Sequence, residues 1–367
     1  MNRQRALDSI FLKPTDRIPH WESLSNPAFE QRLTGIDPWG HPRLARERML
    51  ELIPQDVGSV PISDEPLERA SDGQLTSVDS NGDTRARWGA GLTERWDHGK
   101  EFKTLDDVLA YDPAEHMDMS HSNIVGCEGI DFTLGIDELA SQRQLAIDGM
   151  RAATGERSLC MSGFYNTLFM WPMVTFGWEL FLETGAAYPD EMKRLLAGFA
   201  ERSRKIFQAI ARTDIEVVTS HDDICYAAGP VFSPTWLREF IYPYYEEFWG
   251  YLKAAGKKVI FICDGDVTQV ADDIFACGAD GIRSEPFTNW RQIAAKHPDK
   301  VLVGDGDNRV LATNDREAIE HMVRDMTEWG KRCVGYFLCC GNHLPWNLPP
   351  EAIEHYFRAS ERYGQRK

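Results

Sequence analysis

The sequence predicts one closed barrel of eight parallel strands alternating with helices, a (β/α)8 architecture. Two observations carry the prediction. Short apolar segments recur along the chain, and amphipathic helical patterns lie between them. The segments are IPHW (18–21), VGSVPI (57–62), SLCMSG (158–163), IEVVTS (215–220), VIFIC (259–263), DGIRSE (280–285), VLVGD (301–305) and VGYFLC (334–339). Eight parallel strands are the number that closes such a barrel. The chain has 367 residues and 43% hydrophobic content, enough to fill one large core across residues 1–367.

The helices are justified one by one. Over 191–212, Met192, Leu195, Leu196, Phe199, Ile206, Phe207 and Ile210 fall near one face. Ser233-Pro234 reads as an N-cap followed by proline at the first helical position. The helix after it should kink near Pro243 and end at Gly256. Residues 314–330 form another amphipathic helix, capped by Asn314 or Thr313. The interval 66–145 breaks the rhythm after strand two, and SNGD (80–83) is a hairpin turn. It reads as a small β insertion.

Composition limits the partners. The formal net charge is -17, with 57 acidic against 40 basic residues, which argues against a nucleic-acid binder. The apolar stretch 164–187 carries Pro172, Glu179 and Glu183, so it reads as a buried loop and helix, not a membrane span. No apolar leader follows the first residues. The 8 cysteines show no tight framework, as expected of a cytoplasmic protein with mostly buried thiols.

In this architecture the active site lies at the C-terminal ends of the strands. Strand one delivers His20, Trp21 and Glu22 there, and strand three Tyr165 and Asn166. Strand four delivers His221, Asp222 and Asp223, and adjacent Asp222 and Asp223 should point in different directions. Strand five brings Cys263, Asp264 and Asp266, strand six Glu285, strand seven Asp305 and Asp307, and strand eight Cys339, Cys340 and His343. Thiolate, imidazole and carboxylate are zinc's ligands. Asp264 and Asp266 could equally form a turn, and His343 a satisfied loop histidine. Without a short CxxC pair, spacing alone supports zinc weakly.

These residues resemble the uroporphyrinogen decarboxylase superfamily. The likeness is carried by NRQRALDSIFLKPTDRIPHW at the start, DDICYAAGPVFSPTWLREFIYPYY (222–245), the Cys263 strand, ADGIRSEP (279–286) and CCGNHLPWNLPPEAI (339–353). It implies a (β/α)8 barrel over nearly the whole chain. True decarboxylases of this group carry an arginine-rich segment after the first strand; here that place reads HWESLSNPAFEQRL, so porphyrinogen decarboxylation is not expected. The resemblance points instead to the methyltransferase branch, similar to the corrinoid-dependent coenzyme M methyltransferases.

On that resemblance Cys263, Glu285 and Cys340 occupy zinc-ligand places, while the histidine place is Phe261, which cannot bind metal. Three outcomes follow: His221, His343 or Asp266 completes the zinc site; the three ligands hold zinc alone; or the metal is gone. The implied activity is methyl transfer, or demethylation of a methoxylated donor. The cobalamin would sit on a partner corrinoid protein, and the acceptor or donor would be a small molecule. Asp223, His221, Asp266 and His343 would act as acid–base or positioning groups, and His20, Tyr165, Asn166 and Asp305 would bind substrate. Neither nucleic acid nor membrane is an expected partner, and a homodimer is compatible with the chain. Two other readings are a decarboxylase or lyase on an organic acid, which would need cations such as Arg283 and Arg309, and a non-catalytic binding subunit.

Overall fold

The computed structural model describes residues 2–67, 102–116, 130–341 and 343–366, with three short strands between 76 and 95. Those strands are β1 (Thr76–Val78), β2 (Thr84–Arg87) and β3 (Leu92–Arg95), an antiparallel sheet in the order β1-β2-β3. It lies in the interval where the rhythm of the sequence breaks. The SNGD turn itself, and Cys127, fall outside the described residues.

Six parallel strands form the main sheet: β4 (Ser162–Phe164), β5 (Val217–His221), β8 (Lys258–Ile262), β9 (Gly281–Arg283), β10 (Val301–Asp305) and β11 (Tyr336–Cys339). Two-residue strands β6 (Cys225–Tyr226) and β7 (Gly229–Pro230) make a small hairpin after β5. Parallel bridges complete the ring: His20 with Leu338, Trp21 with Val57, and Val57 with Leu159. The Trp21 N–H donates to the Leu338 carbonyl at 3.0 Å, and the Leu159 N–H to that of Asp56 at 2.8 Å. The first two segments therefore pair as single bridges instead of full strands. Pro19 has no N–H to give to a ladder.

Alternation along the strands sorts side chains to two sides. Val217, Ile260, Val301, Val303 and Phe337 join Trp21, Val57 and Leu159 inside the barrel. Val218, Val259, Phe261, Ile282 and Leu302 face the layer of helices. The helix Pro189–Ala211 buries the apolar face read from the sequence. Ser233 caps Pro234–Phe240 by accepting the Trp236 N–H at 3.2 Å. The helix breaks at Ile241 before resuming as Tyr242–Ala254, and Gly256 follows at φ 75°. The cap of Arg316–Gly330 is Asp315, whose carboxylate accepts the Glu317 and Ala318 N–H groups, and not Thr313 or Asn314. Residues 164–187 fold into Met170–Phe176 and Trp178–Ala187. Among the described residues no helix is long and apolar enough to cross a membrane.

Candidate active site

Follow the inward-facing positions of β5 and β8 toward their C-terminal ends. Val217, Thr219 and His221 share one side of β5, and Ile260, Ile262 and Asp264 share the corresponding side of β8 and its exit. His221 stands opposite Ile262 in register. The chain leaves β8 through Gly265 at φ 83°, where a Cβ would meet the Tyr226 backbone at 2.4 Å. Only glycine tolerates that turn. It leaves Asp264 beside the end of β5, where the Asp264 N–H donates to Asp223 Oδ1 at 2.9 Å. His221 Nε2 lies 3.1 Å from the same carboxylate oxygen. The Tyr165 ring covers His221 with centroids 4.2 Å apart.

Asp222 points the other way, as expected of adjacent residues. Fully buried, it accepts N–H groups from Leu168, Phe169 and Met170 and the Tyr245 hydroxyl, tying the start of Met170–Phe176 to the barrel wall.

Electrostatics distinguish the three groups of the cluster. Burial opposes charge on His221, but the Asp223 carboxylate outweighs it and raises the imidazole above its usual range. Burial likewise opposes the Asp223 charge, and His221 overrides it and keeps Asp223 below the usual carboxylate range. Asp264 is pushed up to about 7, first by burial and then by Asp223. The result is an ion pair beside a carboxyl group that exchanges its proton near neutrality.

A cavity of about 360 Å3 opens immediately below. Its floor is apolar: Trp21, Val57, Leu159, Met161 and Ile262. Its polar wall is Glu22, Ser23, Arg46, Gln55, Arg283 and His343. Arg283 lies over the Trp21 ring at 5.4 Å and donates to Ser23 Oγ at 2.9 Å. Glu22 accepts from the Tyr356 hydroxyl at 2.6 Å and the Cys340 N–H at 3.0 Å. Burial, then Arg283 and Arg46, lower His343 to about 4, so its ring stays neutral. A larger cavity of about 470 Å3 lies outside the barrel against Arg291, Asp325 and Trp329 and shares no lining residue with the first.

Several expected positions are corrected by packing. Among the described residues, the one group whose ligand atoms lie within 4.8 Å of one another is His221, Asp223 and Asp264. Cys263, Glu285 and Cys340 do not meet that spacing. The reason is strand parity. Cys263 follows Phe261 on the outward side, packed in the helix layer with its thiol raised by burial and by Cys225. Phe261 itself packs on Tyr245 and Trp249, so this position points away from the mouth. Cys340 sits in the outer cluster with Leu311 and Tyr356; Cys339 is the thiol that faces inward, beside Glu22. Glu285 accepts the Gly265 N–H at 2.8 Å and so braces the turn after β8.

Asp266 also serves that turn, accepting the Thr268 N–H at 2.9 Å. Asp305, at φ 82°, is turned outward and accepts the Trp329 indole N–H at 2.8 Å. His20 is fully buried against Tyr356 and Phe357 and does not line the cavity. Asn166 is fully buried at the start of the loop after β4. Arg309 is exposed and paired with Asp307. His221, Asp223 and Tyr165 do come together, and His343 lines the cavity. Sequence reasoning placed Glu22 and Asp264 at strand ends and gave Arg283 to the lyase reading, but it did not join Asp264 to the cluster and it missed Arg46 and Gln55 as cavity wall. The inward parity of 217-219-221 and 260-262-264 was the available signal.

The family model described as uroporphyrinogen decarboxylase (URO-D) matches residues 163–363, more than half of the sequence, and the chain belongs to that family. No curated protein matches it in sequence. Among solved structures, a methyltransferase from Methanosarcina mazei is similar at a TM-score of 0.62 and 13% identity, covering 99% of this chain and 98% of that one. A protein described as a vitamin-B12-independent methionine synthase from Listeria monocytogenes is similar at a TM-score of 0.37 and 12% identity, covering 62% of this chain and 68% of its own. The first likeness establishes the shared barrel fold.

Proposed function

We propose that this member of the uroporphyrinogen decarboxylase family is a methyltransferase that moves a methyl group between a cobalamin, carried by a separate corrinoid protein, and a small acceptor or donor in the cavity. The observation that carries the reading is the His221–Asp223–Asp264 cluster at the mouth, together with the absence of a gathered thiol set among the described residues. Nitrogen and oxygen nucleophiles lose a proton on methylation and regain it on demethylation. Asp264, titrating near 7, is placed to take or return that proton. Asp223 holds His221 in orientation, and Tyr165 limits its motion from above. A thiol loses a proton in the same way, but with no cysteine in the gathered ligand set to anchor a thiol-activating zinc, a nitrogen or oxygen compound, such as a folate-like acceptor or a methyl ether, is favoured. The partner's corrinoid would supply the cobalt that gives up the methyl group when methylated or takes it when reduced.

The zinc set suggested by the family resemblance does not fit, because Cys263 and Cys340 face the outer layer. One imidazole and two carboxylates are a donor set that zinc accepts, so a resident zinc would be held by His221, Asp223 and Asp264 and would polarise an acceptor oxygen or nitrogen. Elemental analysis separates these states. The reading as a whole is tested by incubating purified protein with methylcobalamin and candidate acceptors, and with reduced cobalamin and methylated donors. A change in the cobalamin spectrum that depends on the protein and on Asp264 is expected. Failure to move methyl in either direction with any nitrogen, oxygen or sulfur compound would overturn it.

One observation favours a second reading, a lyase acting on an organic acid: Arg283 reaches the cavity from β9. Protein-dependent carbon dioxide release without methyl transfer would establish it.

A further inference from the structure

Gln55 and Arg46 in the cavity wall each bury a polar atom that has no hydrogen-bond partner among the described residues, and the two atoms are of opposite kind. Gln55 is 2% exposed. Its amide nitrogen donates to the carbonyls of Glu22 at 3.0 Å and Val57 at 2.7 Å, which fixes the orientation of the amide. Its Oε1 is left with nothing to accept. Arg46 gives one terminal nitrogen to Glu30 at 2.6 Å and to the Leu24 carbonyl at 3.1 Å. Its Nε–H is buried with nothing to donate to. Buried polar groups are rarely left unsatisfied in a folded protein, and each costs free energy until it finds a partner. Both residues line the same cavity as Arg283, Ser23 and His343.

We infer that this cavity is a subsite for a small carboxylic acid carrying a nearby O–H or N–H. The carboxylate lies between Arg283 and Arg46, accepting from the Arg46 Nε–H, and the ligand's own donor reaches Gln55 Oε1. Guanidinium groups suit a planar carboxylate because they donate in matching pairs. A single negative charge fits better than a phosphate dianion. Glu22 shares the wall and Glu30 already offsets part of the Arg46 charge. His343 remains neutral under the field of the two arginines, in keeping with a site of positive potential. The volume of about 360 Å3 admits a compact acid, not a tetrapyrrole. This inference rests on the proposed active site for its meaning, since it names the class of molecule that the Asp264 cluster would act on. It does not depend on methyl transfer.

The test uses the full chain and a fixed panel: glycolate, lactate and 4-hydroxybenzoate, each beside its methyl ester and beside the acid lacking the hydroxyl. Binding is followed by calorimetry and by ligand-observed NMR. At least one hydroxy acid should bind about tenfold or more tightly than its ester. Arg46→Gln and Arg283→Gln should each weaken that acid by about tenfold or more. Gln55→Met should erase the preference for the hydroxyl while leaving the preference for acid over ester. Arg283→Lys, which keeps the charge, guards against misfolding and should retain part of the binding. Binding by none of the acids, equal binding of esters, or indifference of folded Gln variants would overturn the subsite. Acid binding without any methyl transfer would leave the subsite standing and remove the methyltransferase reading. Methyl transfer confined to uncharged compounds would do the reverse.

Discussion

The ends of β5 and β8 adjoin the wall formed by β9 with the helix Pro42–Leu52, and the two regions are built in opposite ways. On the first side, carboxylates crowd an imidazole: Asp264 meets Asp223, and burial with that neighbour drives its pKa to about 7. On the second side, Arg283 and Arg46 surround His343, and burial with their charge drives it to about 4. Both sides disfavour charge on a titratable group, by opposite means: the carboxyl is left half-protonated near neutrality and the imidazole is left neutral. The difference assigns the work. The acidic side exchanges protons at physiological pH, while the cationic side cannot and is left to hold charge in place.

That division is broken most directly from the acidic side. Asp264→Asn and His221→Ala should each lower methyl-transfer turnover by about 10²–10⁴-fold, the usual worth of positioned acid–base groups. Neither should weaken binding of a small carboxylate by more than about twofold. Steady-state and binding measurements on the same preparations check this. A rise in KM at unchanged turnover would show that the two sides are not separate.

The pH dependence sharpens the same contrast. Asp264 has a folded-state pKa raised from 3.8 to about 7, so the fold favours its protonated form. The stability contributed by that preference is complete below 3.8 and is lost as pH rises through 7. Wild-type protein should thus lose stability between pH 5 and 8 relative to Asp264→Asn, by on the order of 2 kcal/mol. Denaturant unfolding at both pH values measures it. Parallel pH curves for the two proteins would show that Asp264 is ionised throughout. His343, lowered from 6.5 to about 4, adds stability as pH rises toward 6.5, but it does so equally in wild type and in Asp264→Asn and cancels from the comparison.

Much of this architecture was legible in the sequence, and what escaped did so for distinct physical reasons. The barrel follows from eight apolar segments, and the helix break before Tyr242 from Pro243. His221 and Asp223 follow from their place at a strand end. The divergence of Asp222 and Asp223 is simple strand geometry. The metal set drawn from the family resemblance does not gather in this structure, because motif position says which residues stand near a strand end, not which side they face. Cys263 and Asp264 are neighbours, so only one of them can face the mouth, and the resemblance favoured the thiol. Parity counted from Val217 and Ile260 would have reversed the choice. Asp305 escaped even that count. Val301 and Val303 face inward, which predicts Asp305 inward as well, but its φ of 82° turns it out to Trp329. Gln55 and Arg46 carry no motif at all; only the fold brings them to the cavity.

The smallest expected effect is also the one that most cleanly separates position from parity. Cys339 and Cys340 are adjacent, yet Cys339 packs inside the barrel with Trp21 and Phe337, and Cys340 outside with Leu311 and Tyr356. A thiol in the outer layer acts as a small hydrophobe, and replacing it by alanine removes one buried atom. Cys340→Ala and Cys263→Ala should therefore each cost about 1 kcal/mol of stability and change turnover less than about twofold. Neither should alter the metal content of the protein. Cys339→Ala should cost a similar amount, but it removes a neighbour of Glu22 and should shift carboxylate affinity by about two- to threefold. Melting curves, turnover and elemental analysis on the three variants decide the matter. Loss of bound zinc on replacing Cys263 or Cys340, with His221→Ala unaffected, would mean that the outer thiols turn inward when metal is present. The acidic cluster would then yield its place to the thiols that the family resemblance named.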